Sequence, residues 1–311
     1  MTLAQLSAFV LVARLGSVSG AARALGVSEP AVSQALAALR QHHDDKLIVR
    51  TPNGMTLTPG GSRLLPIASQ MVALGADADA AVREANGVAE RLQIAVTNTI
   101  AEFVANPLLA AFAARPGQAV DASAGVARVA EMPVLVTNRL ADASLGPALE
   151  GGLDSTPIFR CTLVAVGSPH ARYTGSPAKW PWLVDPAAAD PGSDTARLLD
   201  RLGVPDSVIS VFPNQTAAWS AAASGNGVSI AAEHLAAPQL RRHELKIVPT
   251  PVTPATVCWH LTTLPRDRGS VAAAALRHFL GTPAAMQLMR SPGSGVPPSR
   301  FRPPVYVTIW S

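Results

Sequence analysis

The sequence predicts an α/β protein that opens with an all-α winged helix-turn-helix. Three observations carry this reading. Ala22 and Gly26 stand where a helix-turn-helix needs a small crossing residue and a tight turn, Asn53-Gly54 marks a hairpin soon after, and beyond Arg91 short strand-like runs alternate with helical ones. A chain of 311 residues has room for two or three cores, and its 48% hydrophobic and 15% charged residues belong to a globular polypeptide, not a disordered one. The net charge of +4 permits a polyanionic partner without requiring one.

The first helix is expected from Thr2, whose spacing to Gln5 is that of a capping box, to about Leu15, with Leu3, Leu6, Phe9, Val10 and Ala13 on its buried face. Gly16 ends it. In the following Ser19–Ser28 stretch, Ala22 lets two helices cross closely and Gly26 tolerates the positive φ of the turn between them. Ala21, Leu25, Val27, Val32, Leu36 and Leu39 supply the apolar flanks; Ser28 can cap the second helix, and Pro30 is tolerated in its first turn. Residues 47–50, 51–54 and 55–58 then read as strand, turn and strand, a wing whose Arg50 and Asn53 would meet a phosphate backbone or minor groove. The pattern as a whole predicts binding to double-stranded DNA.

These residues resemble the LysR-type transcriptional regulators. The resemblance is carried by Leu6, Phe9 and Val12, by Gly16-Ser17-Val18-Ser19, Ala21-Ala22 and Leu25, and by Val27–Gln34 with Leu39; Lys46–Arg50 and Leu57–Gly61 complete it. It implies that Ser28, Glu29, Pro30, Ser33 and Gln34 present a recognition helix to the major groove while Arg50 and Asn53 hold the wing. Departures from the family pattern are Glu29, Arg40, Ile48 and Gly60. Glu29 matters most, because a carboxylate there repels phosphate but can accept from a cytosine amino group.

From about Gly61 to Gly87 the chain reads as one long helix. Leu64, Ala68, Met71, Gly75, Ala78, Val82 and Ala85 form a coiled-coil seam, widened by Ile67, Met71, Leu74, Ala78 and Ala81. With the resemblance, this seam predicts a homodimer or a higher homo-oligomer. Pro66 would cost a helix interior about 3 kcal/mol, so the helix is expected to start late or kink there.

Strands are expected at 91–96, 134–137, 141–145, 159–166, 208–212, 228–232, 246–249 and 257–262, with helices at 100–114, 195–202, 215–224 and 270–280. They predict a largely parallel sheet. The resemblance, looser here, rests on Arg91–Val96, Asp142–Gly146 and Ser224–Val228, and implies two α/β lobes like a type 2 periplasmic binding protein with a small-molecule effector between them. Thr97, Asn98, Thr99, Ser193, Thr195, Gln215 and Thr216 lie at helix starts where hydroxyl and amide groups could meet such an effector; their commoner use is as simple N-caps. The expected domains are residues 1–60 (winged helix-turn-helix), 61–90 (linker and dimerisation helix), 91–290 (effector-binding) and 291–311, a Pro/Gly-rich tail.

Gly-x-Ser-x-Gly, Gly-Lys-Ser/Thr and His-Glu-x-x-His motifs are all missing, so no enzyme, cofactor or metal is expected; His42-His43-Asp44-Asp45 reads as a polar helix end. Cys161 and Cys258 lie in apolar runs and suit two buried thiols in a reducing compartment better than a disulfide or a redox pair. With neither a signal-peptide pattern nor an apolar run of roughly 20 residues, a cytoplasmic protein without a membrane partner is expected. The functional expectation is an effector-modulated, DNA-binding transcription regulator; the alternative is a cytoplasmic small-molecule-binding protein with a vestigial helix-turn-helix.

Overall fold

Thr2 and Gln5 close the first helix reciprocally: the Gln5 N–H donates to Thr2 Oγ1 at 3.3 Å and the Thr2 N–H to Gln5 Oε1 at 2.8 Å. The computed structural model describes residues 1–51, 54–86, 88–115 and 120–292. Helix α1 (Leu3–Leu15) is followed by α2 (Val18–Leu25), whose N-cap is Ser17. Gly26 ends α2 at φ 64°, its N–H donating back to the carbonyls of Ala22 and Arg23. Helix α3 (Glu29–His43) starts on the Ser28 hydroxyl, with Pro30 in its first turn. Strands β1 (Ile48–Thr51) and β2 (Gly54–Leu57) pair antiparallel, Thr51 opposite Gly54, so a two-residue connection is left between them.

α1 departs from the single buried face that its spacing suggests. Leu3 is half exposed, whereas Ala8, Leu11 and Val12 are buried beside Phe9 and Val10, making the helix apolar on nearly every side. Its extra face shares one apolar cluster with Met132, Leu135 and Val136 of the C-terminal region.

Helix α4 (Pro59–Ala85) does not start late and carries Pro66 as an interior residue. Thr58 fixes the early start, its hydroxyl accepting from the Gly61 N–H at 2.9 Å. Burial of Ala68 and Val72 in the cluster containing α1 offsets the missing hydrogen bond of the proline. Of the two apolar stripes on α4, the one through Leu64, Ala68 and Gly75 turns inward, and a Cβ at Gly75 would touch Leu3. The other keeps Ile67 and Leu74 more than half exposed.

Beyond α4, strands β3 (Glu90–Val96), β4 (Val120–Val126) and β5 (Ala143–Gly146) build a first lobe with α5 (Asn98–Ile100), a π-helical turn (Ala101–Ala105), α6 (Asn106–Ala113) and α7 (Met132–Thr137). The long strand β6 (Asp154–Gly167) crosses to a second lobe of β7 (Trp182–Val184), α8 (Asp194–Arg201), β8 (Ile209–Val211), α9 (Gln215–Ala223), β9 (Val228–Ala232), α10 (Glu233–Arg241) and β10 (Lys246–Ile247). β11 (Ala255–Thr263) crosses back, and α11 (Val271–Leu280) and α12 (Pro283–Arg290) return to the first lobe, α11 against β3 and α12 against α6. Among the described residues the sheet order is β4-β3-β5-β11-β6-β9-β7-β8, with β10 on β6.

The expected strand at 134–137 is helix α7, started by Pro133 and packed beneath α1. The sheet is mixed, not largely parallel: pairs within each lobe are parallel, but β6 and β11 pair antiparallel with each other and with β5, β9 and β10. Two strands that run through both lobes in opposite senses impose this. The tail expected from 291 onward lies, beyond Pro292, outside the described residues.

Gly61 is where the wing and the linker touch, and an added Cβ would strike the carbonyl oxygen of Leu47, already bonded to the Thr58 N–H. Gly61→Ala is expected to lower stability by about 1–3 kcal/mol in thermal or urea unfolding, whereas Ala85→Gly at the far end of α4 should lower it by less than about 1 kcal/mol.

Candidate functional site

On α3 the buried side chains are Val32, Leu36 and Leu39, and the opposite face leaves Ser28, Glu29, Pro30, Ser33 and Gln34 exposed. Ser28 is also the N-cap, its Oγ accepting from the Ala31 N–H at 3.4 Å. Arg50 is exposed on β1 opposite Met55; Asn53 lies outside the described residues.

Two side chains lock this face to the wing. Arg40 donates from Nε to the Lys46 carbonyl at 2.9 Å and from Nη2 to the Ile48 carbonyl at 3.1 Å. An acidic residue at this position could make neither bond. Asp45 accepts from the Leu47 N–H at 2.7 Å and the Thr58 hydroxyl at 2.8 Å, bonds that hold its carboxyl below the usual carboxylate range. In the sequence Asp45 does not stand out from the charged positions around it, and Arg40 does so only as a departure from the family pattern.

Between the lobes lies a cleft of about 380 Å³. Thr97, Asn98 and Thr99, where β3 hands over to α5, face Ser193, Asp194 and Thr195, where α8 begins; Leu163, Val257 and Trp259 of the crossing strands lie below. The lobes approach closely at one side of it, the Val129 N–H donating to Asp190 Oδ2 at 2.5 Å, with Gly192 leaving no room for a Cβ against Val129. One wall comes from the helix-turn-helix itself, since Arg23 of α2 lines the cleft and reaches Glu131 at 3.0 Å.

Thr97, Asn98, Thr99, Ser193 and Thr195 are thus brought together, but Gln215 and Thr216 are not with them. Gln215 is buried and donates to Ser229 Oγ at 3.3 Å and the Ile230 carbonyl at 2.8 Å. The N-terminus of α9 already holds an anion: the Glu102 carboxylate accepts from the N–H groups of Gln215 and Thr216 at 2.9 Å each, and from the Thr216 hydroxyl. Phe103 stacks on Trp219 beside it, ring centroids 5.2 Å apart, so the π-helical turn clasps one lobe to the other. This pairing spans more than a hundred residues and left no signal in any sequence window.

Asp185, next to this clasp, is 1% exposed and one of its carboxylate oxygens has no partner. Desolvation pushes its pKa up to about 6; the Asn98 side chain opposes the rise and the nearby Glu102 charge adds to it. His234 moves the other way: burial between Phe159 and Trp259 lowers it to about 4.

Cys161 and Cys258 are both free, and they sit on adjacent strands. Cys161 lies opposite Val257 and Cys258 opposite Arg160, so the pleat sends the two thiols to opposite faces of the sheet. Burial raises the Cys161 thiol to about 12. Among the described residues no three His, Cys, Asp or Glu side chains gather as a metal site, and no helix is long and apolar enough to cross a membrane.

A winged helix-turn-helix joined by a long helix to a cleft between two α/β lobes defines a transcription regulator with an effector-binding domain. Residues 3–62 match the bacterial regulatory helix-turn-helix proteins of the lysR family, and residues 85–284 match the LysR substrate binding domain. The chain belongs to the LysR family. It is 34% identical to the HTH-type transcriptional regulator Rv0377 of Mycobacterium tuberculosis over the whole of both chains. It is 30% identical to the HTH-type transcriptional regulator CfxR of Cupriavidus necator, over 96% of this chain and 97% of that one. Among solved structures, a full-length variant of AphB superposes with a TM-score of 0.60 at 16% identity, covering 90% of this chain and 98% of that one. The probable transcriptional regulator PA0477 of Pseudomonas aeruginosa does so with a TM-score of 0.53 at 24% identity, covering 90% and 96%. At such identities the superpositions speak for the fold.

Asp185 generates a pH prediction. Its folded pKa near 6 exceeds the ordinary 3.8, so the folded chain holds the proton more tightly, and this contribution to stability is lost as pH rises from about 4 through 6. Asp185→Asn is expected to raise stability at pH 7.5 by about 3 kcal/mol, the gain over the parent shrinking to nothing near pH 4. Thermal unfolding of both proteins across this range checks it.

Proposed function

We propose that the chain acts as a homodimer, or a pair of homodimers, in which α3 enters the major groove and the wing rests on the phosphate backbone. The observation that carries this is the exposed polar face of α3, held to the wing by Arg40 and Asp45 while its opposite face is buried. Ser28, Ser33 and Gln34 are proposed to read base edges, with Glu29 biasing the readout towards cytosine. Arg50 and Asn53 are proposed to hold phosphate. A small-molecule effector in the cleft, contacted by Thr97, Asn98, Thr99, Ser193 and Thr195, would change the geometry of the DNA-binding domains. Self-association is supported by the outward stripe of α4, on which Ile67 and Leu74 are each more than half exposed, and by Val82 of the other stripe, also more than half exposed towards the helix end.

Fluorescence anisotropy against the duplex flanking the protein's own gene tests the DNA reading. Gln34→Ala is expected to cost about 1–3 kcal/mol on the selected duplex and little on random DNA. Arg50→Ala should weaken both alike and reduce the log–log salt slope by about 1. Loss of selectivity in neither variant would overturn the assignment. Leu74→Glu is expected to turn dimers into monomers in sedimentation velocity; unchanged assembly would remove α4 from the interface.

A further inference from the structure

The cleft is not built from the effector domain alone. Arg23, in the last turn of α2, lines it together with Glu131, and the two form an ion pair at 3.0 Å with 39% and 15% of their side chains exposed. The second oxygen of Glu131 accepts from the Arg128 N–H at 3.0 Å. The other carboxylates lining the cleft are likewise committed within the chain: Asp190 to the N–H groups of Val129 and Gly192, and Asp194 to Arg197 at 2.6 Å. Arg128, also on the lining and exposed, has no ion pair to its guanidinium among the described residues. After these internal pairings, what the cleft still offers a ligand is cationic and hydroxylic.

We propose that Arg23 is a ligand-binding residue supplied by the helix-turn-helix, and that Glu131 holds the place of an anionic group, a carboxylate, on the cleft's ligand. Ligand binding moves the Arg23 guanidinium from Glu131 to that group. The planar fork of arginine pairs with a second carboxylate as readily as with the first, so the exchange replaces one charge-assisted contact by another. Arg23 follows Ala22, which is buried in the core that α2 shares with Val32 and Leu36 of α3. A shift of the guanidinium is therefore felt by the recognition helix through rigid packing. The inference rests on the cleft being the effector site.

Succinate serves as the probe, titrated calorimetrically into the full chain and into Glu131→Gln, Arg23→Gln and the double variant. Glu131→Gln keeps an acceptor for the Arg128 N–H but no longer repels an incoming carboxylate or holds Arg23. It is expected to bind succinate roughly fivefold more tightly than the parent, about the worth of one part-exposed ion pair. The double variant should return to the parent affinity. Equal binding in Glu131→Gln and the parent, or none in either, overturns the proposal; so does a gain that survives loss of Arg23, which would assign the anion to Arg128. In the same samples, amide exchange over residues 18–25 should change on adding succinate to Glu131→Gln, and an unchanged α2 would also overturn it. Selective DNA binding by the parent is scored separately, so failure of the regulator reading shows there and not in the calorimetry.

Discussion

One apolar cluster runs from the helix-turn-helix into the first lobe, and the placement of everything else depends on it. Phe9, Leu11 and Val12 of α1, Ala68 and Val72 of α4, and Met132, Leu135 and Val136 of α7 all belong to it. A large apolar side chain taken wholly out of water contributes roughly 1.5–3 kcal/mol. The two ion pairs across the same boundary, Arg23–Glu131 and Arg139–Asp77, are part exposed and worth at most about 1 kcal/mol each. Apolar burial therefore decides that the domains dock, and the ion pairs decide their fine setting. A ligand of ordinary affinity can exchange an ion pair, but it cannot open the cluster, so regulation through this boundary has to work by small shifts and not by separation.

The same distinction between local and remote explains what could be read from the chain. The helix-turn-helix was legible because its signals are short-range: Thr2 with Gln5, Ala22 with Gly26, Ser28 with Pro30. α7 was not. Val134-Leu135-Val136-Thr137 has the β-branched character of a strand, and only burial under α1, far away in sequence, keeps it helical. β4 gave the opposite error of omission: Asp121-Ala122-Ser123-Ala124-Gly125 shows no alternation, yet it pairs in parallel with β3 along its whole length. Three residues at Trp182–Val184 are too few to show any period.

The cleft was half legible for a related reason. Helix starts singled out Thr97–Thr99 and Ser193–Thr195, which line the cavity, whereas the same cue at Gln215 and Thr216 pointed to a helix N-terminus that Glu102 already fills. Sequence windows show which helix N-termini can hold an anion; they do not show which anion the chain supplies itself. Arg23 and Glu131, 108 positions apart, were invisible in the same way.

These internal carboxylates are not equivalent, and the differences determine what the cleft can select. Glu102 is held by two backbone N–H groups and a hydroxyl at a helix terminus, beside a stacked aromatic pair, so displacing it would expose several donors at once. It also sits near the buried Asp185, where a second negative charge is unwelcome; Asp185 therefore retains its proton more readily, and an anionic ligand gains nothing by approaching that end. Glu131 is held by one part-exposed guanidinium and one N–H, at the edge shared with the helix-turn-helix. Of these two carboxylates, Glu131 is the less costly to replace. On the proposed assignment, a carboxylate ligand is directed towards Arg23 and Arg128 and away from the lobe–lobe clasp. On that assignment the end of the cleft that discriminates by charge is the end that touches the helix-turn-helix, where Arg23 meets Glu131.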